Sequence, residues 1–262
     1  MIKFEKWQGL GNDFIILEEN IITPTLAKEL CNRQFGIGAD GIFAPVSSKI
    51  ADIGWNFYNS DGTIAQMCGN GIRCFAKYVY SKGLVKSKKF TVETLAGIIT
   101  PTITDDNDVI VDMGEPIVEP AEIPVKADDF LNVKVQGYDA VAVSMGNPHC
   151  VIYTKEDSEC LAKTVGKSIE FDPIFPEKTN VEFVNIISKN KVKMNVWERG
   201  CGITLACGTG ACATVVAGYK KGLIERKAEV VLPGGSLFID YKEDNHVYMK
   251  GSAKLVFKGE YQ

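Results

Sequence analysis

Apolar and polar residues alternate along most of the chain, with a few stretches of wider, helical spacing. The opening run "IKFEKWQGLGNDFIILEEN" reads as two short strands around a glycine-rich turn. "TPTLAKELCNRQ" (23–34) predicts a helix, with Thr23 as N-cap and Pro24 at the first helical position, where a missing N–H costs nothing. "FGIGADGIFAPV" and "IADIGWNFYNSDG" return to strand-like runs separated by glycines. A cysteine turn, "MCGNGIRC", then opens a helix that ends at Gly83, and "KFTVETLAGIITPTI" and "DVIVDMG" follow as strands.

Three prolines in "GEPIVEPAEIP" (114–124) mark a boundary, and beyond it the same logic repeats. "YDAVAVSMGNPHCVIY" predicts strand, turn, strand; "SECLAKTVGKSIE" a short helix; "TNVEFVNIISKNKVKMNVWERG" two strands turning at Lys189-Asn190. "ACGTGACATVVAGYKKGLI" opens a second helix on a cysteine turn, and "AEVVLPGGSLFIDY" and "HVYMKGSAKLVFKGEY" close the chain as strands. The pattern predicts an α+β duplication, not a βαβ-alternating sheet. The halves are expected at 1–116, carrying Cys68, and 117–262, carrying Cys207, with the last strand free to pack back on the first half.

Composition narrows this only by exclusion. With 29 Lys+Arg against 33 Asp+Glu, the net charge of −4 predicts neither a nucleic-acid nor a membrane partner. "MIKFEKWQ" has no apolar signal region, and no window is apolar enough to span a membrane. A reducing cytoplasm is therefore the expected compartment, with most of the eight cysteines free thiols. No CxxC pair occurs, so no metal site is expected.

The candidate chemistry lies in the two cysteine turns. A helix start exposes unpaired N–H groups and a partial positive charge, and glycines let a ligand approach that backbone. A carboxylate fits over "CGN" or "CGT", and the same field favours thiolate over thiol. One element thus holds an amino acid's carboxylate and sets a base beside its α-carbon; two supply a base on one face and an acid on the other, as racemisation requires. Cys31, Cys74, Cys150, Cys160 and Cys212 read as small core hydrophobes, and Cys201 as part of a tight turn. "GIGADG" (36–41) has the spacing of a dinucleotide loop, but it follows a helix and precedes a strand, the wrong context. Asn12, Asn59, Asn147, His149, Asn180, Glu198 and Arg199 stand in turns that either shape the backbone or bind a ligand. A thiol hydrolase pairing either cysteine with His149 is the rival from another class, and an inactive amino-acid-binding protein a third reading.

The stretches "GLGNDF", "FGIGADG", "NSDG…MCGNGIRCFAKYV", "VETLAGIIT", "VDMGEP", "SMGNPHCVI", "FPEKTNVEFV", "VWERG" and "LACGTGACATVVAG" together resemble the diaminopimelate epimerase family over nearly the whole chain. The resemblance implies two pseudosymmetric domains, each a curved, mostly antiparallel sheet around a central helix, with the active site in the cleft between them. It implies an isomerase that needs no pyridoxal phosphate or other cofactor, uses Cys68 and Cys207 as acid and base, and acts on diaminopimelate in lysine and peptidoglycan synthesis. His149 and Glu198 would support the reacting centre. Asn12, Asn59, Gly69, Asn70, Asn147, Asn180, Glu198, Arg199, Gly208 and Thr209 would contact substrate, Arg199 and the asparagines at its far head. A cytoplasmic homodimer is the implied form. The chain departs from the family at Ile64 and Ile203, where Glu is usual, four residues ahead of each cysteine. That leaves both thiols in less negative surroundings, and a racemase of the same mechanism acting on another amino acid, such as histidine, is the alternative within the family's chemistry.

Overall fold

Helices Gly69–Ser81 and Gly208–Lys220 bury side chains on nearly every face, and a helix of that kind is stable only when covered all round. Each is wrapped by strands of its own. In the computed structural model, which describes residues 1–262, the chain divides into two units, Met1–Asp112 with Gly251–Gln262, and Met113–Lys250.

Unit 1 runs β1 (Ile2–Gly9), β2 (Asn12–Leu17), α1 (Pro24–Cys31), β3 (Gly41–Val46), β4 (Ile53–Asn59), α2 (Gly69–Ser81), β5 (Val92–Thr94), β6 (Gly97–Ile99), β7 (Thr102–Ile103) and β8 (Val109–Asp112). Unit 2 runs β9 (Val133–Val135), β10 (Tyr138–Ser144), β11 (Pro148–Tyr153), α3 (Ser158–Thr164), α4 (Gly166–Glu170), β12 (Asn180–Ser188), β13 (Lys191–Glu198), β14 (Gly202–Ile203), α5 (Gly208–Lys220), β15 (Lys227–Leu232), β16 (Gly235–Tyr241) and β17 (Val247–Gly251). The last strand, β18 (Lys254–Tyr261), pairs antiparallel with β1, so unit 1 is built from both ends of the chain.

The sheet of unit 1 is ordered β18-β1-β2-β3-β4-β5-β6, and that of unit 2 includes β17-β16-β15-β13-β12-β11-β10-β9. Both are mixed. Hairpins alternate with parallel pairs, β2 with β3 and β4 with β5 in unit 1, β11 with β12 and β13 with β15 in unit 2. Parallel neighbours need a crossover. Here α1, α2, the α3–α4 pair and α5 supply it, so the element order of one unit repeats in the other. The helices stand where the sequence pattern placed them, but they join parallel strands, a role that the pattern of mostly strands around one cysteine-led helix per half did not include.

Packing around the two central helices differs. Under α2 lies an aromatic cluster in which Phe43 stacks on Trp55 at 5.1 Å and meets Phe14 at 4.8 Å and Phe75 at 6.4 Å. Gly71 makes this possible, since a Cβ there would stand 2.5 Å from Phe43 Cζ. Around α5 the buried residues are small, from Gly210 through Gly218, and β10, β11, β12, β15 and β16 close in on it.

Two expectations change. Residues 36–40 are not strand: Gly36 donates to Asn32 O, Ile37 and Gly38 to Leu30 O, and Ala39 to Cys31 O. The glycine-rich loop therefore satisfies the carbonyls at the end of α1, and its glycines serve that close passage; a Cβ on Gly36 would lie 2.1 Å from Glu29 O. The helix expected over 158–170 breaks at Val165, which caps both α3 and α4, where Gly166 passes so close to Trp197 that a Cβ would meet its Cβ at 2.6 Å.

One ion cluster ties β1, β2 and the loop after α1. Asp13 pairs with buried Lys6 at 2.8 Å and with Arg33 at 2.7 Å, and Lys6 also donates to Gly38 O. Burial disfavours the Asp13 carboxylate, yet the hydrogen bonds from Arg33 and Lys6 outweigh it and hold its pKa at about 2, against 3.8 ordinarily. A lowered folded-state pKa means that the stabilisation is complete above about pH 4 and disappears as the pH falls toward 2. Asp13→Asn should therefore cost roughly 3 kcal/mol at pH 7, where Lys6 loses its carboxylate, and much less near pH 2. Urea midpoints at several pH values check this, and an unchanged midpoint at pH 7 contradicts it.

Candidate active site

Cys68 and Cys207 are the N-caps of α2 and α5, with extended backbone at φ −143° and −119°. The helix starts at the next residue, Gly69 or Gly208; the Cys68 sulfur accepts from a first-turn N–H, whereas the Cys207 side chain makes no capping hydrogen bond.

In unit 1 the Cys68 sulfur accepts from Gly71 N–H at 3.4 Å, and its thiol faces Asn12 Oδ1 at 3.6 Å. Asn70 Nδ2 reaches the same oxygen at 3.3 Å, while Asn12 Nδ2 donates to Asp40 Oδ2 at 2.5 Å. Arg73 sets the orientation of Asn70. Its fully buried guanidinium donates to Asn70 Oδ1 at 2.8 Å, Gly69 O at 2.9 Å and Ser252 O at 3.3 Å. Asn12, Cys68, Gly69 and Asn70 are thus brought together. Asn59 stands apart from these contacts; its amide closes the 59–63 turn by donating to Thr63 Oγ1 at 3.0 Å.

In unit 2 the Cys207 sulfur lies 3.6 Å from Thr209 Oγ1 and close to Glu198, whose carboxylate accepts from Thr204 Oγ1. Asn147 Nδ2 donates to Thr209 Oγ1 at 3.4 Å, and His149 Nε2 faces Asn147 Oδ1 at 3.1 Å. His149 Nδ1 faces Glu182 Oε1 at 2.7 Å. Asn180 donates to Pro148 O at 2.8 Å and accepts from Arg199 N–H at 2.9 Å, joining two turns. The Arg199 side chain is exposed and donates to Glu177 O at 3.2 Å. Both nitrogens of His149 are therefore engaged elsewhere, and it reaches Cys207 only through Asn147 and Thr209. A hydrolase dyad would need the imidazole against the sulfur.

The electrostatics of Cys207 reverse a sequence expectation. A helix start lowers a thiol's pKa, and the Gly210 N–H does act in that direction. Burial acts more strongly the other way, and the charges of Glu198 and Glu182 add to it, so the Cys207 thiol is pushed well above its ordinary range. Burial also raises Glu198. Among the remaining cysteines, Cys31, Cys74, Cys150 and Cys212 are buried as expected, and burial pushes Cys31 and Cys74 up to about 12. Cys160, expected in the core, is exposed because only Ser158, Leu161 and Ala162 of α3 face inward. Ile64 and Ile203 are exposed at 57% and 48%, so neither replaces a family glutamate with core packing.

Sequence reading passed over Arg73 and Glu182. Each carried one signal, a charged residue in an otherwise apolar segment: Arg73 between Ile72 and Cys74 in α2, Glu182 between Val181 and Phe183 in β12.

Two mixed sheets, each folded on a cysteine-capped helix, define a fold shared with solved structures of low sequence identity. A probable proline racemase from Agrobacterium radiobacter superposes with a TM-score of 0.70 at 14% identity, over 100% of this chain and 93% of its own. A phenazine biosynthesis protein of the PhzF family from Enterococcus faecalis gives 0.70 at 16% identity, over 100% of both chains. The family profile of diaminopimelate epimerase matches residues 4–119 and 141–256. The diaminopimelate epimerase of Carboxydothermus hydrogenoformans is 50% identical over 272 residues, 99% of each chain, and that of Desulfitobacterium hafniense 48% over 271 residues, 97% of this chain and 96% of its own. The chain belongs to the diaminopimelate epimerase family, and its class of enzyme is isomerase.

The raised, buried thiol of Cys207 should resist alkylation. Iodoacetamide near pH 8, followed by peptide mapping, should modify exposed Cys160 and Cys201 and half-buried Cys68 well before Cys207. Equal rates at Cys68 and Cys207 would contradict the environment described for Cys207.

Proposed function

We propose that the chain interconverts L,L- and meso-diaminopimelate by moving the α-proton with Cys68 and Cys207 as paired acid and base. The observation that carries this reading is the duplication itself: each unit starts its buried central helix with a cysteine cap followed by glycine, a polar residue and glycine. One thiolate takes the α-proton from one face, and the other thiol gives its proton to the opposite face. A proton enters and a proton leaves, and the two sulfurs exchange protonation states. The N–H groups of Gly69, Asn70, Gly208 and Thr209 suit a carboxylate and the negative charge that develops beside it. Each such donor is worth on the order of 3 kcal/mol in the transition state.

His149 and Glu198 support Cys207, Glu198 directly and His149 through Asn147 and Thr209. The amides of Asn12, Asn59, Asn147 and Asn180 are all engaged within the protein, so each asparagine meets the substrate from a fixed position, and Arg199 is the charged group for its far head. Arg199 is exposed, and its planar fork matches a carboxylate. The reaction is written with this chain's own groups and no cofactor.

A homodimer is the assembly we assign. β18 has β1 on one side only, and exposes Leu255, Val256 and Phe257 at 41%, 55% and 46%. An apolar edge strand of this kind invites a second copy. No helix is long and apolar enough to cross a membrane. None of the eight cysteines forms a disulfide, and a reducing cytoplasm is the compartment we assign.

Incubation with diaminopimelate in heavy water, following α-deuterium, tests the chemistry. Cys68→Ser and Cys207→Ser should each lose at least about 100-fold in turnover, whereas Cys74→Ser keeps most of it. Arg199→Lys should lose about tenfold or more in kcat/KM, since lysine lacks the fork. Full activity in either of the first two variants removes the two-thiol scheme. Rapid turnover of histidine with none of diaminopimelate would move the assignment to the racemase alternative.

Sedimentation of the wild type and of Val256→Glu tests the assembly. A dimer converted to monomer by the charge is expected; a wild-type monomer at micromolar concentration refutes the assignment.

A further inference from the structure

Glu182, the third residue of β12, is completely buried, and the two-thiol reaction gives it no part. Its Oε1 lies 2.7 Å from His149 Nδ1, while its Oε2 has no hydrogen-bond partner. A bare carboxylate in such a place is costly. Gly210, in the first turn of α5, closes over it: a Cβ there would stand 2.6 Å from Oε1 and 3.3 Å from the Cβ of Cys207.

We propose that Glu182 and His149 share one proton, and that this proton orients the hydrogen bonds leading to Cys207, making Glu182 a positioning residue for the reaction. The inference rests on the two-thiol reading above.

The direction of the bonds carries the argument. Asn147 Nδ2 faces Thr209 Oγ1, so its Oδ1 accepts from His149 Nε2, which must carry a hydrogen. The remaining contact, Nδ1 to Glu182 Oε1, then sets two lone pairs at 2.7 Å unless a proton lies between them. Whether that proton is nearer nitrogen or oxygen, the pair as a whole is neutral. Thr209, accepting from Asn147, has its own hydrogen free to point at Cys207 Sγ, 3.6 Å away. From His149 Nε2 onward every donor thus points toward the sulfur, and the far end of the line is fixed by the Glu182–His149 proton. A donated hydrogen bond favours the thiolate, which burial and the nearby carboxylates otherwise oppose. The titratable groups around this line are Glu182 on β12, His149, Cys150 and Tyr153 on β11, Glu198 on β13 and Cys207 itself; the Tyr153 hydroxyl donates to Thr214 O.

The protein has two histidines, so the ring nitrogens of His149 are resolvable by nitrogen-15 NMR, with His246→Gln assigning the other. The free wild-type enzyme should show Nε2 protonated and a strongly downfield proton between Nδ1 and Glu182. A ring protonated at Nδ1 alone would run the line backwards and overturn the proposal. In turnover, Glu182→Met should lose roughly 100-fold in kcat with KM within about threefold, and alter the Cys207 limb of the pH profile. Glu182→Gln, whose amide can donate to Nδ1, should stay within about tenfold of the wild type. Wild-type rate and profile in a folded Met variant, or a Gln variant as poor as Met, overturns it. The NMR measurement needs no turnover, so it judges Glu182 even if Cys207→Ser remains active and the two-thiol reading falls.

Discussion

A helix buried within its first turn cannot leave its first N–H groups to water, and α2 and α5 are both of this kind. Both starts are occupied by a cysteine with glycines behind it: the Cys68 sulfur accepts from Gly71 N–H, while Cys207 holds the same position without a side-chain capping bond. Gly71 and Gly210 are held by close neighbours, Phe43 in one unit and Glu182 in the other, so each turn is fixed by packing as well as by its ligand chemistry. The sheets, the crossover helices and the polar residues in the turns are arranged around these two points.

The same turn is written twice, yet its surroundings differ in sign. Cys68 stands among amides that a buried guanidinium orients. Cys207 stands among carboxylates, Glu198 in contact and Glu182 behind His149. The backbone contribution is common to both helix starts, so the side chains decide which sulfur more readily keeps its proton.

The duplication and the catalytic candidates were legible because they rest on local patterns: strand alternation, Thr23 and Pro24 at a helix start, and two cysteine-glycine turns. What escaped was set by distant neighbours. The parallel pairs depend on which strands meet across a helix, and the 36–40 loop on the carbonyls of α1 beneath it. Cys160 looked like core because cysteine commonly is, but the inward face of α3 belongs to Leu161 and Ala162. The pKa expectation for Cys207 failed because the helix start is visible in sequence, whereas burial and the approach of two carboxylates are not. Arg73 and Glu182 stood out only as charges in apolar runs, and nothing local showed what they meet.

The placement of β18 bears on the order in which the chain acquires its structure. β1 is the first strand made and β18 the last, and they lie side by side in unit 1. Unit 2 is a single continuous stretch. During synthesis its residues can close their sheet around α5 as soon as they emerge, while unit 1 lacks its outermost strand until residues 254–261 follow. The half that is translated first is thus the half that is completed last, and until then β1 carries an open edge.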